Sequence, residues 1–134
     1  MKPTRLFVDT SFVIALINKR DRNHEQATRL AAEYGSRRLL TTDAILLEIG
    51  NALARSFKPQ AVEVIEHFLT SADVEVVRLD AETFESAFDL YRSHRDKSWG
   101  LIDCHSFVVM RQAKVENALD FDVHFGQAGF RSVR

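Results

Sequence analysis

An unbroken apolar run near the start, Arg5-Leu6-Phe7-Val8-Asp9, shows no solvent-facing alternation, the pattern of a strand buried on both faces of a parallel sheet. Thr10 or Ser11 is then suited to cap a helix running to about Asn18. Asp21 offers a second cap, and Ala27, Leu30, Ala31 and Tyr34 make an apolar stripe that stops at Gly35. Leu39 to Thr42 reads as a short strand. Thr42 or Asp43 then caps a helix with Ile45, Leu46, Ile49, Leu53 and Phe57 on one side. Pro59 is placed as the first residue of a further helix, with Val62, Ile65 and Leu69 at helical spacing. Val74 to Leu79 is β-branched and partly alternating, hence a strand. Asp80 caps the next helix, whose stripe is Phe84, Ala87, Phe88 and Tyr91. A polar loop, Ser93 to Gly100, precedes a helix from about Leu101 to Lys114 that is apolar almost all round and so expected to be central. Ala118 to Phe121 is a strand, and the tail from Gly126 to Val133 supplies a short last one.

Strands alternating with helices imply right-handed crossovers, and so a three-layer α/β/α sandwich with a mostly parallel central sheet. The 134 residues fit one domain, 1–134, with no repeat, linker or low-complexity tract. Ten phenylalanines in a chain that is 46% hydrophobic indicate a substantial apolar interior. A net charge of −1 excludes a global basic field, so any polyanion must be met by local cations and by metal. The single cysteine, Cys104, excludes an intramolecular disulfide and suits a reducing cytoplasm. The N-terminus lacks the features of a signal peptide, and no apolar run is long enough for a membrane span. A soluble cytoplasmic domain without membrane contact is expected.

Four acids stand against this apolar pattern. Asp9 closes the first strand and is followed by a second apolar run, Glu48 interrupts Ile45-Leu46-Leu47-Glu48-Ile49, Asp103 precedes Phe107-Val108-Val109-Met110, and Asp122 follows Ala118 to Phe121. An unpaired carboxylate near a core is costly, so such acids need a cation or strong donors. Each also has a purely structural reading: Asp9 as a helix cap, Asp103 as a charge favourable to a helix N-terminus, Asp122 as a turn residue, Glu48 as a partner for Arg55. Active crevices of open parallel sheets lie outside the carboxyl ends of the strands, and all four acids can reach that edge. Four gathered carboxylates would hold a hard divalent ion, and the matching chemistry is hydrolysis at phosphorus. Thr10, Ser11 and Ser106 are hydroxyls suited to a metal-bound water or a phosphate oxygen, and Asn51, one turn beyond Glu48, to orienting it. The five histidines lack zinc-like spacing, Cys104 reads as a core thiol, and no glycine-rich phosphate loop is present.

These residues resemble a PIN domain, specifically the VapC-type toxin ribonucleases of toxin–antitoxin pairs. The matching pieces are Val8 to Leu16, Thr41 to Arg55, Asp96 to Phe107 and Ala118 to Phe125 with the Gly126 to Phe130 tail, in order over nearly the whole chain. The resemblance implies an acidic quartet of Asp9, Glu48, Asp103 and Asp122, with Thr10 or Ser11 as the polar residue after the first aspartate. Mg²⁺ or Mn²⁺ is then expected, with Asp9 and Asp103 as principal ligands and Glu48 and Asp122 acting directly or through water. It further implies RNA as substrate, a VapB-like antitoxin laying a peptide over the acids, and a homodimer. Arg20, Arg22, Arg95 and Lys97, by loop position, are the cations suited to RNA, although for each a solvated charged surface is the stronger reading. Gly100 and His105 depart from the family pattern. So does Asp120, where a small or hydroxyl residue is usual; this fifth acid either enters the site or faces solvent. Two further classes stay open, another metal-dependent phosphoesterase acting on DNA or a small ester, and a non-catalytic PIN-like interaction module.

Overall fold

The computed structural model describes residues 4–134, so the first three residues of the expected domain lie outside the described part. Among the described residues five strands form one sheet: β1 (Arg5–Val8), β2 (Arg38–Thr42), β3 (Val74–Val77), β4 (Asn117–Leu119) and β5 (Arg131–Ser132), in the order β3-β2-β1-β4-β5. Every pairing is parallel. Leu6, Phe7 and Val8 of the central strand are all buried, which is why its sequence shows no alternation. Among the described residues seven helices connect and cover the strands: α1 (Thr10–Ile17), α2 (His24–Tyr34), α3 (Asp43–Leu53), α4 (Lys58–Thr70), α5 (Ala81–Ser93), α6 (Leu101–Ala113) and α7 (Val123–Gln127).

Several boundaries differ from those expected, each for a local reason. Asp9 itself, rather than Thr10 or Ser11, caps α1, accepting from the Ser11 N–H. Asp21 accepts from the Asn23 N–H in a turn ahead of α2, which starts at His24. Of the two caps expected for α3, Thr42 is the one used, while the Asp43 carboxylate accepts from the Leu79 N–H beyond β3. The stripe ending in Phe57 is split: α3 stops at Leu53, Phe57 precedes α4, and Lys58 rather than Pro59 opens that helix. β4 ends at Leu119, two residues early, because Asp120 and Asp122 turn the chain into α7, a helix the tail was not expected to contain.

The strand order positions the site. The chain builds outward from β1 through β2 to β3, then returns to place β4 on the other side of β1. The C-terminal ends of β1 and β4 thus form the switch point at which such sheets open a crevice. The Asp9 N–H donates to the Leu119 carbonyl at 3.1 Å, drawing the residues that follow β1 beside those that follow β4. Beneath them Phe107 of α6 meets Phe125 of α7 edge-on at 5.2 Å, and Trp99 at 5.2 Å on another side. This aromatic cluster joins α6, α7 and the loop between α5 and α6 to β1, where Phe7 lies 5.9 Å from Phe125.

Candidate active site

Asp9 is 4% exposed at the end of the central strand, and its Oδ2 accepts from the Ser11 N–H at 3.1 Å and the Ser11 hydroxyl at 2.5 Å. That same hydroxyl oxygen accepts the Phe121 N–H at 3.0 Å, so Ser11 ties Asp9 to the turn after β4. Burial pushes the Asp9 carboxyl up to about 7, and the nearby charges of Asp103 and Asp120 push in the same direction, against the two Ser11 hydrogen bonds. Thr10, also buried, donates its hydroxyl to Glu48 Oε1 on α3, bringing the second acid of the expected quartet beside the first.

Asp103 sits in the first turn of α6, where Oδ2 accepts the Gly100 N–H at 3.0 Å. The structural reading of this acid is therefore also true: it satisfies a free amide at a helix start. Partial burial still raises its pKa; the Gly100 bond opposes this, Asp122 adds to it, and His124 opposes it. Asp122 caps α7 through the His124 N–H at 2.9 Å. Capping and membership of a cluster thus coincide at three of these acids, because strand ends and helix starts share one edge.

Asp120 does not face solvent. It is completely buried, with Oδ2 accepting the Ser132 hydroxyl at 2.7 Å and Oδ1 accepting the Asp122 N–H at 3.0 Å. Burial again raises its carboxyl, to about 6. Arg134 donates to the Asp120 carbonyl and lies 5.0 Å from the centre of the Phe121 ring, closing the turn from outside.

His124 is the functional candidate that sequence reasoning passed over. Its Nδ1 lies 2.9 Å from Asp103 Oδ2 and 3.1 Å from Asp122 Oδ1, and its Nε2 lies 3.2 Å from Ser98 Oγ. Ionised carboxylates only accept, which assigns Nδ1 as the donor to them while no cation is bound. Zinc-like spacing was the wrong signal to seek. The useful one was Asp-x-His at a helix cap, which folds the histidine back over the capping acid.

Other expected residues lie apart from this cluster. Asn51 is exposed on α3, and the hydroxyl that meets Glu48 is that of Thr10. Ser106 is fully buried, its Oγ bonded to no described residue. Arg20 lines a cleft with Asn18 and Phe57, Arg22 is exposed ahead of α2, and Arg95 and Lys97 line a different cleft that reaches Gly100.

One ligand atom each from Asp103, Asp122 and His124 lie within 4.8 Å of one another, a spacing that one cation can span. The donor set fits a divalent ion: oxygen-rich, with one imidazole nitrogen, and bordered by two carboxyls, Asp9 and Asp120, whose ionisation burial disfavours and a cation would favour.

Residues 6–131 match the family model of the PIN domain, and the chain belongs to that family. It is 34% identical over 129 residues to the 23S rRNA-specific endonuclease VapC20 of Mycobacterium tuberculosis, covering 96% of this chain and 98% of that protein. The crystal structure of M. tuberculosis VapC20, described as a sarcin–ricin-loop-cleaving toxin, superposes with a TM-score of 0.86 at 33% identity, covering 96% and 98% of the two chains. Two more distant structures share the fold: FitAcB from Neisseria gonorrhoeae, with a TM-score of 0.65 at 12% identity over 96% of each chain, and VapBC2 from Rickettsia felis bound to promoter DNA, with 0.60 at 14% identity over 96% and 97%.

Proposed function

We propose that this chain is a divalent-metal-dependent endoribonuclease, the VapC-like toxin of a toxin–antitoxin pair, with residues 1–134 acting as one nuclease domain. The observation that carries the reading is the convergence of Asp9, Asp103, Asp120 and Asp122 at the β1/β4 switch point, where burial raises the carboxyls of the first three and a cation would offset the charge gathered there. Asp9 and Asp103 are the principal ligands in this reading, with Glu48 and Asp122 acting directly or through water and His124 at their border. The ion is Mg²⁺ or Mn²⁺. When bound, it supplies positive charge to the phosphoryl oxygens and acidifies water beside the scissile bond. The protein's own contribution is positioning: Ser11 fixes Asp9, Thr10 fixes Glu48, and the Gly100 amide fixes Asp103.

The likeness to VapC20 makes a 23S rRNA fragment carrying the sarcin–ricin loop the first substrate to test. Wild-type protein with Mn²⁺ should cut this RNA, whereas Asp9→Asn should lose at least about a hundredfold of the rate. Cleavage confined to DNA or to nucleotides would support another phosphoesterase instead, and no cleavage with no Mn²⁺ binding in calorimetry would support an interaction module. The family likeness also underlies a VapB-like antitoxin, a homodimer and a cytoplasmic setting; among the described residues no helix is long and apolar enough to cross a membrane. Co-expression with any small antitoxin-like reading frame found beside the gene tests the antitoxin, and light scattering of the purified chain tests the homodimer.

A further inference from the structure

Beside the acids lies an open cleft of about 600 Å³, built by the last turns of α5 and the loop that leads into α6. Its lining includes Tyr91, Arg92, His94, Arg95, Lys97 and Ser98. Two bonds join its wall to the acidic cluster: Ser98 Oγ to His124 Nε2 at 3.2 Å, and the Gly100 N–H to Asp103 Oδ2 at 3.0 Å. The cations differ in how they are held. Arg92 is paired with Asp89 at 2.6 Å and lies over the Phe88 ring, and Lys97 is 3.4 Å from Asp96. Arg95 makes no ion pair among the described residues.

The aromatic groups are sorted in the same way. Trp99 is buried, its indole N–H held by Gln127 Oε1 at 3.0 Å, and the His94 ring rests against it at 5.0 Å. Tyr91 is 45% exposed: it stacks on Phe88 at 6.5 Å and lines the mouth of a cation-rich cleft, so that part of the ring remains open there. Open aromatic faces interleaved with cations are how single-stranded nucleic acid is bound without base-specific hydrogen bonds. A chain of net charge −1 has no general attraction for RNA, which makes a local group of three cations next to the cleavage centre more informative.

We infer that this cleft seats the RNA segment flanking the scissile phosphate, with a base stacked on Tyr91 and backbone phosphates met by Arg95 and Lys97. The inference rests on the endoribonuclease reading and extends it to the path of the strand. Arg20, at the other cleft, and Arg22, exposed ahead of α2, are outside this path.

The test is fluorescence anisotropy with a short labelled single-stranded oligoribonucleotide, on Asp9→Asn protein with Mg²⁺ present so that the strand is bound and not cut. Arg95→Ala should weaken binding severalfold and lower the slope of log affinity against log salt by about 0.7, the value for one single-strand phosphate contact. Tyr91→Ala should weaken it about tenfold with the slope unchanged, and Tyr91→Phe should restore it, because only the ring is needed. Arg38→Ala, a cation at the start of β2 on the far edge of the sheet, serves as the control and should bind as the parent does. If Tyr91→Ala lowers the melting temperature, Lys97→Ala and its salt slope take its place. Parental affinity and slope in both Arg95→Ala and the position-91 or position-97 variant would overturn the cleft assignment while leaving the nuclease reading intact. A parent that binds no RNA overturns the assignment as well. Loss of the nuclease reading shows separately, as wild-type protein that cuts no RNA with Mn²⁺.

Discussion

Burial holds the Asp9 carboxyl near 7 and Asp120 near 6, whereas both titrate near 4 in an unfolded chain. A carboxyl whose pKa is raised by folding favours the folded state while protonated; that contribution is full below about pH 4 and is lost as pH rises through 6 and 7. The metal-free protein should therefore melt at progressively lower temperature between about pH 5 and pH 8, Asp9 alone contributing at most roughly 4 kcal/mol. Asp9→Asn keeps the acceptor for Ser11 and removes the charge, so it should raise the metal-free melting temperature at pH 8 and flatten the profile. A lower melting temperature would mean that the acid was structural. Ser11 carries a different burden, since its hydroxyl both donates to Asp9 and accepts the Phe121 N–H. Ser11→Ala leaves that amide without its partner and should cost about 1–3 kcal/mol in urea unfolding. It should also lower the RNA cleavage rate with little change in KM, because it loosens an acid rather than a binding contact.

At the level of elements, the helix caps decide where the acids point. Thr42 is fully buried and its hydroxyl accepts the Ile45 N–H at 3.0 Å, starting the helix that carries Glu48. Thr42→Ala should lower stability by about 1–2 kcal/mol in denaturant titrations, and Thr42→Ser should recover most of it; equal losses in both would assign the effect to packing of the methyl group. The same caps show what a linear pattern can and cannot disclose. β1 was legible because three consecutive buried residues admit few other readings, α3 and α5 because their stripes extend over about three turns, and α6 because its apolar run is too long for a strand. α7 was not, since five residues are too few to establish a period, and only the capping geometry of Asp122 defines it. The fate of Asp120 was equally hidden. Its burial depends on Ser132, a partner supplied by β5 twelve residues later, and on the inward turn that ends β4. His124 was missed because its two acidic partners come from separate helix starts, 21 and two residues away in sequence.

On the scale of the whole molecule, the sheet order converts these separate caps into one negatively charged crevice. Strands built outward from β1 in both directions leave the ends of β1 and β4 adjacent, and three of the acids are residues that follow those two strands. The fold thereby accepts a penalty at neutral pH that a cation can remove, which couples metal binding, protonation and stability. If Asp9 is a ligand, its ionisation must accompany binding, because a protonated carboxyl is a poor donor to a hard cation, and the charge of the ion drives the neighbouring Asp120 the same way. Calorimetric titration with Mn²⁺ in buffers of different ionisation enthalpy should show proton release that is larger near pH 6 than near pH 8.5, where these groups have already lost their protons. Under saturating Mn²⁺ the decline of melting temperature with pH should weaken, and at a hundred times the dissociation constant the ion should add about 2.7 kcal/mol of stability. EDTA should return the protein to the steeper profile. Binding without proton release at pH 6 would place the cation away from these carboxyls, and the crevice would then have to be explained by its buried hydrogen bonds alone.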